Sequence, residues 1–290
     1  MKMNDIFNIR RFGKYLASDA RSCAANYGLS MLLISLMGVI IYAGTVIIGL
    51  LFTGKWGGPE LSFRTFTFAV SVFCLMVTMP VKCYGQITEK RFGTQWLMIP
   101  ASGFEKFLSM IIMTVVVIPV ISCTIYLGTD AILCALDGTC GTGIFASFRS
   151  MINGFMEISF ASSSDMARFP ELAHFVKQVS NPWLYVDDII GMLLIFLTGA
   201  IIFKKSKTSK TILAYIALTA VLGMIATPFA KTFFNNFSDM AFTAETPEAL
   251  NQLFDMGIFR HAALIDTIND TLVNLALMTV IYFRIKTLKH

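Results

Sequence analysis

The chain has 290 residues, of which 56% are hydrophobic and only 14% are charged, and its formal net charge is +5. In soluble domains about a quarter of all residues are charged, so this composition excludes an ordinary soluble protein and indicates an integral membrane protein. The basic residues are not interleaved with aromatic residues on one face, and the positive charge therefore does not point to nucleic-acid binding.

The N-terminal segment, residues 1–28, is predicted to form an amphipathic helix on the cytoplasmic side. Apolar residues recur on one side of residues 4–20, and Arg10, Arg11 and Lys14 lie on the other. A helix of this kind lies in the membrane interface, with its bases near anionic head groups. The charged segment and the span-length apolar run that follows it are atypical of a signal peptide, so we expect the N-terminus to be retained.

Residues 29–290 are predicted to form a transmembrane domain of six helices, since about 20 apolar residues cross a bilayer. The fold class is therefore an all-α polytopic membrane protein with helical outer loops. The predicted spans are 29–52, 66–81, 103–127, 182–203, 211–230 and 263–284.

The loop at 82–106 is the longest polar interruption on the predicted cytoplasmic side. A short helix over 87–92 is expected to stop at Gly93 in a left-handed conformation, which a residue without Cβ adopts cheaply. Pro100 ends the next apolar run. Ser102 followed by Glu105 is the pattern of a capping box at the start of a helix.

These residues resemble the cytoplasmic loop after the second span in ABC-2 type transporter permeases. The resemblance covers about twenty residues closely. In that family the loop carries a coupling helix that contacts a separate ATPase subunit, and the permease works as a homodimer or heterodimer. The resemblance assigns contact with the ATPase to seven residues: Glu89, Lys90, Gly93, Pro100, Ser102, Glu105 and Lys106.

Two outer loops, 136–181 and 231–261, are predicted to contain helices. The first is longer than the corresponding loop of most ABC-2 permeases. Cys134 and Cys140 flank its start, and a turn can bring them close enough for a disulfide on the oxidising side of a bacterial inner membrane. The other four cysteines, Cys23, Cys74, Cys83 and Cys123, are expected to be small buried thiols.

Several polar residues fall inside the predicted fourth and sixth spans. Ionisable groups within a membrane are costly and usually face protein or water. Two interpretations remain open: a polar path in the outer half of the bundle, or helix ends at head-group level. The residues are Asp187, Asp188, Asp266, Asp270 and Asn274.

The distribution of bases sets the predicted topology. Of the 23 lysines and arginines, 16 lie in the N-terminal segment, the 82–106 loop, the 204–210 hairpin and the C-terminal tail. Because cytoplasmic loops are enriched in bases, these four segments and both termini are predicted to be cytoplasmic.

No motif for chemistry on the chain itself is recognisable. Neither Gly-Lys pair is followed by the Ser or Thr of a phosphate-binding loop, and the three histidines are not at metal-ligand spacing. We therefore expect no catalytic residue, no metal and no cofactor. Two hypotheses follow: the permease subunit of an ATP-driven ABC-2 transporter, or a membrane scaffold or sensor whose outer loop binds a partner.

Overall fold

The computed structural model describes residues 7–89, 93–94, 96, 98–147, 182–243 and 262–287. Within these ranges the chain is helical, and no strand occurs among them. The helices are α1 (Ile9–Ser35), α2 (Met37–Thr53), α3 (Leu61–Tyr84), α4 (Gly103–Leu136), α5 (Pro182–Ile202), α6 (Lys207–Thr243) and α7 (Ala262–Thr287).

Four helical stretches in the described part are long and apolar enough to cross a membrane. They are Leu61–Thr88, Gly103–Leu136, Lys207–Ile225 and Thr267–Thr287. The bent pair α1 and α2 supplies a fifth when it is counted as one span. The protein is therefore an all-α, multi-pass membrane protein.

Helix α1 runs without interruption through the boundary predicted at residue 28. Asn8 caps its start, with a side chain that accepts hydrogen bonds from the Arg10 and Arg11 amides. The change of direction lies instead at Leu36, where α1 and α2 meet at 41°. Directly before Leu36, the Ser35 hydroxyl donates to the carbonyl of Met31, one turn back, at 2.8 Å, a contact that favours bending of a helix.

Helix α4 contains a wide turn next to a proline. Residues Ile112–Val117 form a π-helix, and Pro119 follows two residues later. A proline has no amide hydrogen to donate and crowds the carbonyl of the preceding turn. A π-turn absorbs this mismatch while the helix continues.

The chain divides into two compact units, and the larger comprises 1–149, 192–211 and 276–290. Its core contains Leu75 and Met79 of α3 and Ile118 of α4. Cys23 and Cys83 border this core and are joined by a disulfide, with Cα atoms 5.9 Å apart. The expectation that these two residues are separate thiols is therefore wrong, because α1 and α3 pack within the Cα separation that a disulfide spans.

Three basic segments of the larger unit contact the fourth, the 82–106 loop. The N-terminal segment reaches α4 through Phe7 and Phe104, whose ring centroids lie 6.1 Å apart. The C-terminal part of α7 places Tyr282 6.4 Å from the same Phe104 ring. The 204–210 hairpin contacts the loop after α3, because Lys207 Nζ donates to the Gly85 carbonyl. These segments thus lie at one end of the unit.

The smaller unit comprises 150–191 and 212–275. Within it, α6 continues to Thr243, so the outer loop predicted to start at Lys231 is helical through that residue. The helices predicted in the first outer loop are described only over 144–147, which is helical. The other residues predicted for those helices, and 244–261, lie outside the described residues.

Candidate functional site

Glu105 fastens the start of α4 to the start of α1. The predicted capping box is present: the Ser102 hydroxyl accepts from the Glu105 amide at 3.1 Å, and Glu105 accepts from the Ser102 amide at 3.0 Å. The same carboxylate accepts hydrogen bonds from Arg11 Nε at 2.7 Å and from the Asn8 amide at 2.8 Å. Its side chain is 0% exposed, so Glu105 presents no surface to a partner in this structure.

Lys106 is also used within the chain. Its residue is 5% exposed, and its ammonium donates to the Trp96 carbonyl at 2.9 Å. The ammonium lies 4.8 Å from the centroid of the Trp96 ring, a cation–π geometry. The Trp96 indole N–H in turn donates to the Tyr15 hydroxyl at 3.1 Å. The loop is thereby attached to α1 at a second point.

Asp19 provides a third attachment, which sequence reasoning missed. Its Oδ2 accepts from the Tyr84 hydroxyl at 2.9 Å and from the Ser109 hydroxyl at 2.7 Å. One acid therefore joins α1, the end of α3 and the first turns of α4. The sequence does hold a signal for this contact: Asp19 is an acid on a helix whose polar side otherwise carries bases.

The rest of the loop differs from the prediction. Gly85–Thr88 forms a 3₁₀ turn, and Glu89 follows in an extended conformation. Gly93 is buried and helical, its amide donating to the Glu89 carbonyl at 2.8 Å. The left-handed conformation predicted for Gly93 is therefore wrong, because helical hydrogen bonding resumes after Glu89. Lys90 lies outside the described residues.

Glu89 and residues 98–100 are accessible parts of the described loop. The Glu89 side chain is 52% exposed and lies 3.9 Å from Lys207 Nζ. Farther along, Met98 is 82% exposed and Ile99 is 39% exposed, and Pro100 is exposed beside them. We call Met98, Ile99 and Pro100 the apolar tip.

A buried ion pair joins the first turn of α3 to the last part of α4, at the ends of these helices that are far from the 82–106 loop. Arg64 Nε lies 3.0 Å from Asp130 Oδ1, with side chains 7% and 10% exposed. Arg64 also donates to the Cys140 carbonyl at 2.7 Å, and Asp130 accepts from the Ile144 amide at 2.8 Å. Sequence reasoning missed this pair, although an arginine opening one span and an acid closing the next antiparallel span are a recognisable signal.

Asp137 organises the turn that follows α4. It accepts from the Tyr42 hydroxyl at 2.6 Å and from the Trp56 indole at 3.3 Å. These donors, with the amide and hydroxyl of Thr139, hold the pKa of Asp137 well below its usual range, the Tyr42 bond contributing most. A charged Asp137 therefore ties α2 and the loop after it to this turn.

Cys134 and Cys140 are free thiols in the structure. Cys134 lies in the last turn of α4, Cys140 lies in the turn after it, and the two side chains are hydrogen-bonded. Burial, followed by the charge of Asp137, raises the pKa of Cys140 to about 11. The predicted disulfide is thus not the pair formed here, and its formation under oxidising conditions stays a prediction.

The predicted polar path is brought together only in part. Within the smaller unit, the Asn274 amide donates to the Asp187 carbonyl at 3.3 Å, and the Thr271 hydroxyl lies 3.5 Å from Asp187 Oδ2. Asp188 is exposed, and Asp270 lies 3.5 Å from the Asn269 amide nitrogen. The side chain of Asp266 lies outside the described residues. Asp187 and Asn274 thus join the fourth and last predicted spans.

Among the side chains that the structure describes, no group of three or more His, Cys, Asp or Glu residues is arranged to hold a metal ion. The polar clusters of the larger unit connect helices, and Glu89 and the apolar tip are accessible on its loop. No family model, curated protein or solved structure matches this chain.

Proposed function

We propose that this chain is the permease subunit of an ABC-2 type transporter in a bacterial inner membrane. Two permease subunits, identical or different, pair in the bilayer, and a separate ATPase binds the 82–106 loop. ATP hydrolysis in that subunit moves a substrate of unassigned chemistry across the membrane. The observation that carries the proposal is a loop with an exposed acid and an apolar tip, fixed by buried contacts to two helices.

The proposed topology has six spans and both termini in the cytoplasm. Phe7 near the N-terminus and Tyr282 near the C-terminus both contact Phe104, which supports placement of the two ends on one side. An even number of crossings is then required. The four candidate spans, the bent pair α1–α2 and α5 make six. The enrichment of bases in the four segments at this end favours the cytoplasmic side.

The apolar tip suits a partner surface because of its exposure and its support. Met98 exposes 82% of its surface next to Ile99 and Pro100, and a flexible thioether adapts to an apolar pocket. Trp96, two residues earlier, is held by Tyr15 and Lys106. A push on the tip is therefore transmitted to α1 and α4 instead of being absorbed by a mobile loop.

The first test is whether a neighbouring gene encodes an ATPase; the second is co-purification of that ATPase with this chain, together with ATP hydrolysis by the complex. Met98→Asp places a charge in the contact and should abolish co-purification. Phe145→Asp is the matched control, since Phe145 is 66% exposed and lies at the start of the first outer loop. If wild-type protein retains no ATPase, or if both variants behave as wild type, the proposal fails and the scaffold or sensor hypothesis gains support.

A further inference from the structure

A cavity of about 310 Å³ lies between α1, the end of α3 and the first half of α4. It belongs entirely to the larger unit and opens to the surface, and its volume falls at the lower end of the range of small-molecule sites, on the order of 300–1,000 Å³. It is separate from the apolar tip. The residues that line it are almost all apolar: Ala20, Arg21, Cys23, Ala24, Tyr27, Met31, Met79, Cys83, Met113, Val117, Ile118 and Ile121.

The shape of this cavity follows from particular residues. Ala20 and Ala24 lie one helical turn apart on α1 and leave space where larger side chains would fill it. On α4, Met113 and Val117 belong to the π-helix, which widens the helix at that wall. The Cys23–Cys83 disulfide joins the α1 wall to the α3 wall. The groove is therefore built into the packing and held open.

Among the described residues that line the cavity, Arg21 is the one that carries a charge. Its side chain is exposed, and it has no ion pair with any acid among the residues that the structure describes. The cavity lies where α3 approaches the 82–106 loop, since Cys83 is part of its wall and Tyr84 ends the helix. An arginine beside an apolar groove at the end of a membrane helix matches an anionic head group above an acyl chain.

We propose that this groove binds one acyl chain of an anionic phospholipid, whose phosphate pairs with Arg21. An apolar groove in contact with a bilayer favours a hydrocarbon occupant, because the side chains of its walls other than Arg21 and Tyr27 are apolar and are stabilised by removal from water. The unpaired guanidinium selects a negatively charged head group and sets the depth of the lipid. The site does not depend on the proposed transport function.

The test uses a phosphatidylglycerol that carries a photoreactive diazirine in one acyl chain, and the matching phosphatidylcholine, with purified protein in nanodiscs. Wild-type protein should be labelled on peptides of α1 and α4, with phosphatidylglycerol preferred about fivefold, the effect expected of one base near a lipid surface. Arg21→Gln should remove the preference, and Arg21→Lys should retain it.

Filling the groove should prevent labelling. Ala24→Trp places an indole in the cavity, whereas Ala25→Trp adds the same group at a neighbouring position that does not line it. Ile121→Trp from the α4 wall, with Val120→Trp as its control, gives a second pair if an α1 variant does not fold. Both 120 and 121 are exposed apolar positions.

Loss of labelling in Ala24→Trp or Ile121→Trp, with labelling kept in the controls, supports the site. Equal labelling of a filled variant and its control overturns it, as does cross-linking of the groove to a second copy of the chain in place of lipid. An unchanged head-group preference in Arg21→Gln overturns the role of the arginine.

Discussion

Replacing Glu105 with glutamine tests whether α1 is fastened to the start of α4. The carboxylate accepts from four nitrogen atoms: Nε and Nη2 of Arg11 and the amides of Asn8 and Ser102. Glutamine keeps the size of the side chain but loses the charge and one acceptor oxygen. Its NH₂ group must then face at least one of these donors.

The expected loss of stability follows from burial. Removing one partner of a fully buried ion pair costs about 3–5 kcal/mol, and hydrogen bonds to a charged group contribute about 1.5–3 kcal/mol each. The Arg11 side chain is 38% exposed and regains water when Glu105 is changed. We therefore expect Glu105→Gln to lower the free energy of unfolding by about 2–3 kcal/mol.

The assay is denaturant unfolding in detergent, followed by tryptophan fluorescence. A double-mutant cycle with Arg11→Gln should give a coupling energy of about 1–2 kcal/mol. Lys14→Gln is the control, since Lys14 is an exposed base on the same helix and should change stability by less than about 0.5 kcal/mol. The reasoning would be refuted if Glu105→Gln had the same unfolding midpoint in denaturant as the wild type. It would also be refuted if Lys14→Gln lost as much stability as Glu105→Gln.

Three further predictions concern other contacts. Gly199→Ala should destabilise the protein by about 1–3 kcal/mol in thermal unfolding, because the added Cβ would lie 2.6 Å from Cγ2 and 2.7 Å from Cβ of Thr211 on α6. The control is Gly223→Ala, which should not destabilise the protein because there is open space at that position. Arg64→Leu should cost about 3–5 kcal/mol by leaving Asp130 buried without its cation, and adding Asp130→Leu should recover part of that loss in the same assay; no recovery would contradict the pairing. Alkylation of Cys140, measured in a variant that keeps only this free thiol, should be slow at neutral pH and accelerate toward pH 11, since its pKa is raised to about 11 and only the thiolate reacts; a plateau already at pH 9 would exclude that shift.

Local sequence signals predicted the local features of the site. The capping box depends on residues three positions apart, and Ser102 and Glu105 form it. The long apolar runs likewise predicted helices, since span length is a property of one segment. Gly93 shows the limit of local reasoning. A glycine permits a left-handed turn but does not require one, and here the helical hydrogen bond to Glu89 decides its conformation.

Contacts between distant segments were not predicted, because their energy depends on packing that no short window contains. The partner of Glu105, Arg11, lies 94 positions away, and α1 had been expected to lie in the interface rather than against the loop. The Arg64–Asp130 pair is 66 positions apart, yet it follows from topology. Two antiparallel spans with opposite charges at the same end bury those charges most cheaply by pairing them.

Under the proposed function, the three attachments of α1 change where uncoupling substitutions are expected. The apolar tip is the part that a partner contacts. It is connected to α1 by the hydrogen bond from Trp96 to Tyr15, and the first turns of α4 are connected to α1 by the hydrogen bond from Ser109 to Asp19. Since α1 continues to Ser35 and then into α2, displacement of the loop carries the first span with it. Substitutions at Tyr15 or Asp19 should therefore leave ATPase binding intact and weaken its coupling to transport, whereas substitutions at Met98 weaken binding itself.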